Sequence, residues 1–144
     1  MTSGVEIMEP ATGTLERLLE AARSAAAEAY APYSRFRVGA AVLAGGEIFT
    51  GSNIENASYG LTICAERTAI FNAVTKGHRK IEAIAVSCVD AGPDASHASR
   101  MPCGACRQVI AEFGHPETPV FVDGVGRTCL AQLLPEPFDL GTSR

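Results

Sequence analysis

Two cysteine strings, Cys64-Ala65-Glu66 and Pro102-Cys103-Gly104-Ala105-Cys106, constrain this chain more than anything else in it, because together they describe three corners of a metal site. Three thiolates can fill three positions of a tetrahedral zinc and leave the fourth to water, which distinguishes a catalytic zinc from a closed structural one. Glu66 stands two residues from Cys64, too close to swing easily onto the same ion. Its carboxylate is placed to take and return protons instead. The fold must therefore bring residue 64 against residues 103 and 106, and the expected cofactor is one Zn2+ per subunit.

Local chemistry supports that convergence. Cys103 and Cys106 are three apart, so a helix starting near Pro102 places both thiols on its first turn, facing the same way. Proline suits such a start, and the unpaired N–H groups there favour thiolate over thiol. Cys64 opens a second helix running through Glu66, Arg67, Ala69, Ile70, Ala73 and Val74 to Lys76. Two helix N-termini then point at one ion. Three thiolates around a dication leave about one negative charge, and Arg67 and Arg107, each adjacent to a ligand, are the candidates to compensate it.

The chain has 144 residues, 47% hydrophobic and 19% charged. That is enough for one core and too little for two ordinary domains. A net charge of −4 argues against a nucleic acid polymer as partner, since phosphate backbones require clustered Lys and Arg. No apolar run reaches the roughly 20 residues of a membrane span. The polar start Thr2-Ser3-Gly4 has no basic-then-apolar leader, so the expected location is cytoplasmic. The cysteines number five, an odd count, and three of them have a use that requires the reduced form, so no disulfide framework is expected. Cys88 and Cys129 read as small buried hydrophobes. His78 and His97 read as solvated side chains, and His115, before Pro116, as the mark of a helix end.

A pass along the chain gives residues 1–12 as a disordered N-terminal arm and 13–144 as a single domain. Thr12 or Thr14 caps a helix reaching about Tyr30, with an apolar stripe through Leu15, Leu18, Leu19, Ala22 and Ala26. Strands at 38–44 and 47–50 flank a hairpin turned by Gly45-Gly46. Strands at 81–88, 119–123 and about 127–129 alternate with the two cysteine-bearing helices, and a helical turn at 130–134 closes the domain. An opening hairpin followed by alternating strands and helices predicts an α/β fold, a mixed sheet covered on both faces. Residues 89–101 form a long loop bordering the metal ligands.

Cys-Ala-Glu followed by Pro-Cys-Gly-Ala-Cys resembles the zinc-dependent nucleoside deaminases, most closely the small cytidine deaminases. The resemblance extends over Tyr30 to Ala41, Gly51 to Tyr59, Cys64 to Ala69, Pro102 to Val109 and Leu133 to Phe138. It implies a three-layer α-β-α sandwich on a central mixed five-stranded sheet. It also implies hydrolytic deamination of cytidine and 2′-deoxycytidine in pyrimidine salvage, zinc-bound hydroxide attacking C4 with Glu66 shuttling protons. In that family the matching Asn53 and Glu55 bind the sugar, Phe36 packs on the pyrimidine, Ala65 lines the substrate site and Tyr59 lies near the sugar at a subunit boundary. Phe138 reaches from the C-terminal tail into a neighbour's site, which implies a homotetramer. Compared with this family the 89–101 loop is long, and Met101 stands where a small polar residue is usual.

The residues leave some readings open. Asn53 is also a natural turn residue, and Phe36 also suits plain core packing. Cys103-Gly104-Ala105-Cys106 alone has the form of a thioredoxin-like redox pair, although that leaves Cys64-Ala65-Glu66 without a role. A structural zinc module would take Cys88 or Cys129 as fourth ligand. A relative acting on another small amine, such as blasticidin S, is the remaining alternative.

Overall fold

The computed structural model describes Pro10 and residues 12–141. Apart from Pro10 and Thr12, the expected N-terminal arm lies outside the described residues. The elements are α1 (Thr14–Ala25), β1 (Val38–Ala44), β2 (Glu47–Ser52), α2 (Ala65–Thr75), β3 (Ala83–Cys88), α3 (Gly104–Phe113), β4 (Pro119–Val122), β5 (Gly126–Cys129) and α4 (Leu130–Leu133).

The five strands form one sheet in the order β2-β1-β3-β4-β5. β1 is antiparallel to both β2 and β3, β3 is parallel to β4, and β4 is antiparallel to β5. Gly45 and Gly46, at φ 59° and 77°, turn the hairpin between β1 and β2, as their tolerance of positive φ allows. The parallel pair β3/β4 requires a crossover, and α3 supplies it.

Alternation along the strands divides the core into two layers. Ala40, Val42, Ile84, Val86, Val120 and Val122 face one side, where they pack with Ala69, Ile70 and Ala73 of α2 and Ile110 of α3. Ala41, Ala83, Ala85 and Phe121 face the other, against Leu18 and Ala22 of α1. The result is the three-layer α-β-α sandwich on a mixed five-stranded sheet. Burying a side chain such as Ile84 or Leu18 stabilises the fold by about 1.5–3 kcal/mol, so both layers contribute. α2 lies close on β2: a Cβ on Gly51 would stand 2.3 Å from the Ala69 amide nitrogen. Glycine at 51 lets the helix that carries Cys64 and Glu66 approach the sheet backbone.

Some local expectations need correction. Neither Thr12 nor Thr14 caps α1; Gly13, at φ 83°, holds the N-cap position without a side-chain hydrogen bond. The regular helix stops at Ala25, followed by a short 3-10 segment at Ala26–Glu28, because Tyr30 is drawn into a parallel bridge with Ile54. Pro102 precedes the N-cap of α3 instead of occupying the first helical position, since Cys103 is the cap. β3 begins at Ala83, not Ile81, because the Ile81 amide donates to the Phe113 carbonyl at the end of α3, not to a neighbouring strand.

Candidate metal centre and substrate pocket

Cys64 and Cys103 occupy equivalent places, the N-caps of α2 and α3, both in extended backbone conformation. Cys64 is held there from behind, since Ile63 and Ile54 exchange two 2.9 Å backbone hydrogen bonds in an antiparallel bridge. Cys106 lies one turn into α3 and is fully buried. The three sulfurs all lie within 4.8 Å of one another, with Cys64–Cys103 at 3.8 Å and Cys103–Cys106 at 3.5 Å. A tetrahedral ion bound to sulfur at about 2.3 Å requires sulfurs about 3.8 Å apart. The two distances above are close to that value, so the cluster suits a zinc ion, and all three thiols are free.

The electrostatics of the cluster follow from its contacts. A hydrogen bond from the Cys106 thiol, aided by Arg67 and Cys103, brings Cys64 down to about 5 against the opposing effect of burial. Cys106 is pushed up, first by that same bond to Cys64 and then by burial. The Cys64 thiolate thus forms readily, and ionising Cys106 calls for a cation. Glu66, only 4% exposed, has its carboxyl raised to about 7 by burial, with the negative Cys64 sulfur adding to the effect.

These groups open into a cavity of about 170 Å³. Cys64, Ala65, Glu66 and Cys103 line it together with Phe36 and Asn53. A buried carboxyl beside a three-thiol cluster, sharing a cavity with an aromatic ring, is an arrangement suited to proton transfer during hydrolysis of a planar heterocycle.

A family model described as "Cytidine and deoxycytidylate deaminase zinc-binding region" matches residues 12–122. The chain belongs to this deaminase family. A cytidine deaminase of Sporosarcina psychrophila is 46% identical over 129 residues, spanning 86% of this chain and 90% of that protein. One of Halalkalibacterium halodurans is 45% identical, spanning 85% and 92%. The crystal structure of cytidine deaminase from Burkholderia pseudomallei superposes with a TM-score of 0.75 at 48% identity, covering 85% of this chain and 98% of that one.

In this family member the two arginines are used differently. Arg67 donates from Nη2 to Cys64 Sγ at 3.5 Å, and that contact raises its own pKa. Arg107 donates to the Pro102 carbonyl at 2.8 Å and the Leu133 carbonyl at 2.9 Å, so these bonds brace backbone rather than sulfur. Of the two candidates for charge compensation, Arg67 is the one hydrogen-bonded to a ligand sulfur, while the planar fork of Arg107 matches two converging carbonyls.

Asn53 and Glu55, both buried, hold the segment that carries Phe36. Asn53 accepts from the Val38 amide at 2.9 Å and donates to the Phe36 carbonyl at 2.8 Å. Glu55 accepts from the Tyr33 and Ser34 amides at 3.0 and 3.1 Å, and from the Ser34 hydroxyl. The Ser34 hydroxyl bond, joined by these amide bonds, lowers the Glu55 carboxyl below its usual range. Tyr59 is 73% exposed and Phe138 71% exposed. Gln108 of α3 donates to the Phe138 carbonyl at 3.0 Å, so the tail is tethered to the helix that follows Cys103 and carries Cys106.

Cys88, Ser99, Arg100, Met101 and Thr62 also line the cavity; of these the sequence flagged only those in the 89–101 loop, as bordering the metal ligands. For Met101 and Arg100 a signal existed in their place just before Pro102; for Thr62 there was none. Cys88 is half-buried, and burial raises its thiol to about 11. It faces the pocket as a neutral thiol and stands outside the three-sulfur cluster.

Proposed function

We propose that this chain hydrolyses cytidine and 2′-deoxycytidine to uridine and 2′-deoxyuridine, releasing ammonia. The observation that carries the reading is the three-sulfur cluster with the buried Glu66 carboxyl beside it, in a cavity that Phe36 also lines. Relatives at 45–46% identity over most of both chains bear the name cytidine deaminase.

Cys64, Cys103 and Cys106 hold one zinc per subunit. When bound, the ion supplies Lewis acidity that brings the pKa of a water from about 15.7 toward 7. Glu66 does the proton work. Its carboxylate accepts a proton from the attacking water, delivers it to ring N3, and passes the second to the exocyclic amine. The C4–N bond then breaks, so that cytidine and water become uridine and ammonia. Arg67, donating to Cys64, offsets the negative charge that three thiolates carry, with Arg107 holding the start of α3 in place. Burial of Glu66 excludes competing solvent from the proton transfers.

Phe36 stacks on the pyrimidine, Ala65 presents the first turn of α2 to the ring, and Asn53 and Glu55 address the sugar hydroxyls. Tyr59 lies near the sugar at a subunit boundary. The exposed Phe138 ring is supplied to a neighbour's pocket, giving a homotetramer with shared sites. An exposed tail aromatic gains from such cover. In this reading residues 13–144 form one domain, acting in the cytoplasm in pyrimidine salvage. The net charge of −4 suits a free nucleoside better than a polynucleotide.

Incubating the zinc-loaded protein with each nucleoside tests the proposal. Stoichiometric ammonia and the corresponding uridine are expected. A fully loaded protein releasing no ammonia from either would refute it.

A further inference from the structure

We propose that Arg37 and Asp90 are positioning residues, forming a latch that holds the Phe36 wall of the cavity against the Met101 wall and thereby sets how tightly a nucleoside is captured. The substrate in this proposal rests on the deaminase reading above. The latch is a set of three hydrogen bonds to one carboxylate. The Arg37 backbone amide and Nε donate to Asp90 Oδ2 at 2.8 and 2.9 Å, and Nη2 donates to Oδ1 at 2.8 Å.

Its place in the fold gives it leverage. Val38 pairs with Cys88 at the end of the β1/β3 ladder, so Arg37 and Asp90 meet just beyond the last strand pair, where the two chains part. One runs back to Phe36 and the other into the 89–101 loop, and Phe36, Ser99, Arg100 and Met101 all border the cavity.

The loop behaves as one body. Arg100 reaches back to the Gly92 carbonyl at 2.7 Å. Ser99 bonds the Ser96 carbonyl at 2.7 Å, and the Ala91 amide donates to the Cys88 carbonyl at 3.1 Å. A shift at Asp90 is therefore passed through Gly92 and Arg100 to Met101. The Phe36 side is equally braced, by Asn53 on its carbonyl and Glu55 on Ser34. Arg37 and Asp90 join these two stiff pieces.

Exposed ion pairs usually contribute little, and this one is exposed, with side chains 51% and 25% accessible. Bidentate geometry with an added backbone donor is the recognised exception. The Arg37 hydrogen bonds hold Asp90 down to about 2, so the carboxylate stays charged throughout the working range.

Asp90→Ala and Asp90→Asn in the full-length, zinc-loaded chain test the latch. Wild-type turnover of cytidine is the test of the deaminase reading, and the ratio of variant to wild type is the test of the latch. For Asp90→Ala, KM should rise about fivefold with kcat within about twofold, the upper end for a solvent-exposed pair, and the charge-swapped Arg37→Asp/Asp90→Arg protein should recover part of the loss. Amide hydrogen exchange should quicken together in residues 33–37 and 91–101, a readout that needs no turnover and decides the latch even if cytidine is not the substrate. Unchanged KM with a lowered Tm would make the pair merely stabilising and overturn the proposal. Faster exchange confined to 91–101 would overturn it too.

Discussion

Cys64 Sγ lies 3.8 Å from Cys103 Sγ although 39 positions separate them in the chain. Each residue holds the N-cap position of its helix, so the two helix starts converge on one small volume. That convergence makes the cluster a receptor for a cation bearing three thiolates, and it places Glu66, in the first turn of α2, beside it.

Replacing Glu66 by Gln keeps the shape of the side chain and removes its ability to carry a proton. kcat for cytidine should fall by about 10²–10⁴-fold, with zinc content and Tm close to wild type. Steady-state kinetics together with metal analysis checks this. A variant that retains most of its turnover would remove Glu66 from the reaction.

Gly51→Ala should damage the site from a distance. The new Cβ would meet the Ala69 amide at 2.3 Å and the Thr68 carbonyl carbon at 2.7 Å, so α2 must lift from the sheet. Overpacking of this kind costs about 1–3 kcal/mol. Urea unfolding should show that loss, and a chelator competition should show weakened zinc retention, because Cys64 moves with the helix.

The Arg23–Asp123 pair predicts an acid-dependent component of stability. Asp123 accepts two 2.8 Å bonds from Arg23 and one from the Ser87 hydroxyl, and the Arg23 bond first of all holds its carboxyl below the usual range. Unfolded, an aspartate titrates near about 3.9. A depressed folded pKa means the stabilisation is complete above about pH 4 and is lost as the pH falls below it. Asp123→Asn should therefore be less stable than wild type at neutral pH, and the gap should close in acid. Urea midpoints measured across the range check this, and a gap that stays constant would show that the charge is not responsible.

Phe138→Ala tests the shared-site proposal. KM for cytidine should rise severalfold, since a stacked aromatic contact contributes about 0.5–1.5 kcal/mol beyond its area. Light scattering on the same samples reports the assembly. Unchanged KM and unchanged mass would leave the exposed ring without a partner.

Much of this architecture was legible in the chain. Gly45-Gly46 announced the hairpin, and the Cys103/Cys106 spacing announced a shared helical turn. Contacts between distant segments were not legible. Nothing local to Tyr30 shows that it will bridge to Ile54 and end the first helix early. The resemblance assigned Asn53 and Glu55 to the sugar, and their hydrogen bonds to the 33–38 segment, which depend on how two loops meet, had no sign in the sequence. Arg107 stands beside a ligand in sequence while its fork is claimed by Pro102 and Leu133. Adjacency in sequence fixed the neighbourhood of each group and left its partner undetermined.

Zinc-edge X-ray absorption on the purified protein tests the central claim most directly. Three sulfurs at about 2.3 Å and one oxygen at about 2.0 Å, at one zinc per chain, are the predicted result. A four-sulfur shell, or a protein without stoichiometric zinc in which Cys103 and Cys106 are joined to each other, would contradict it.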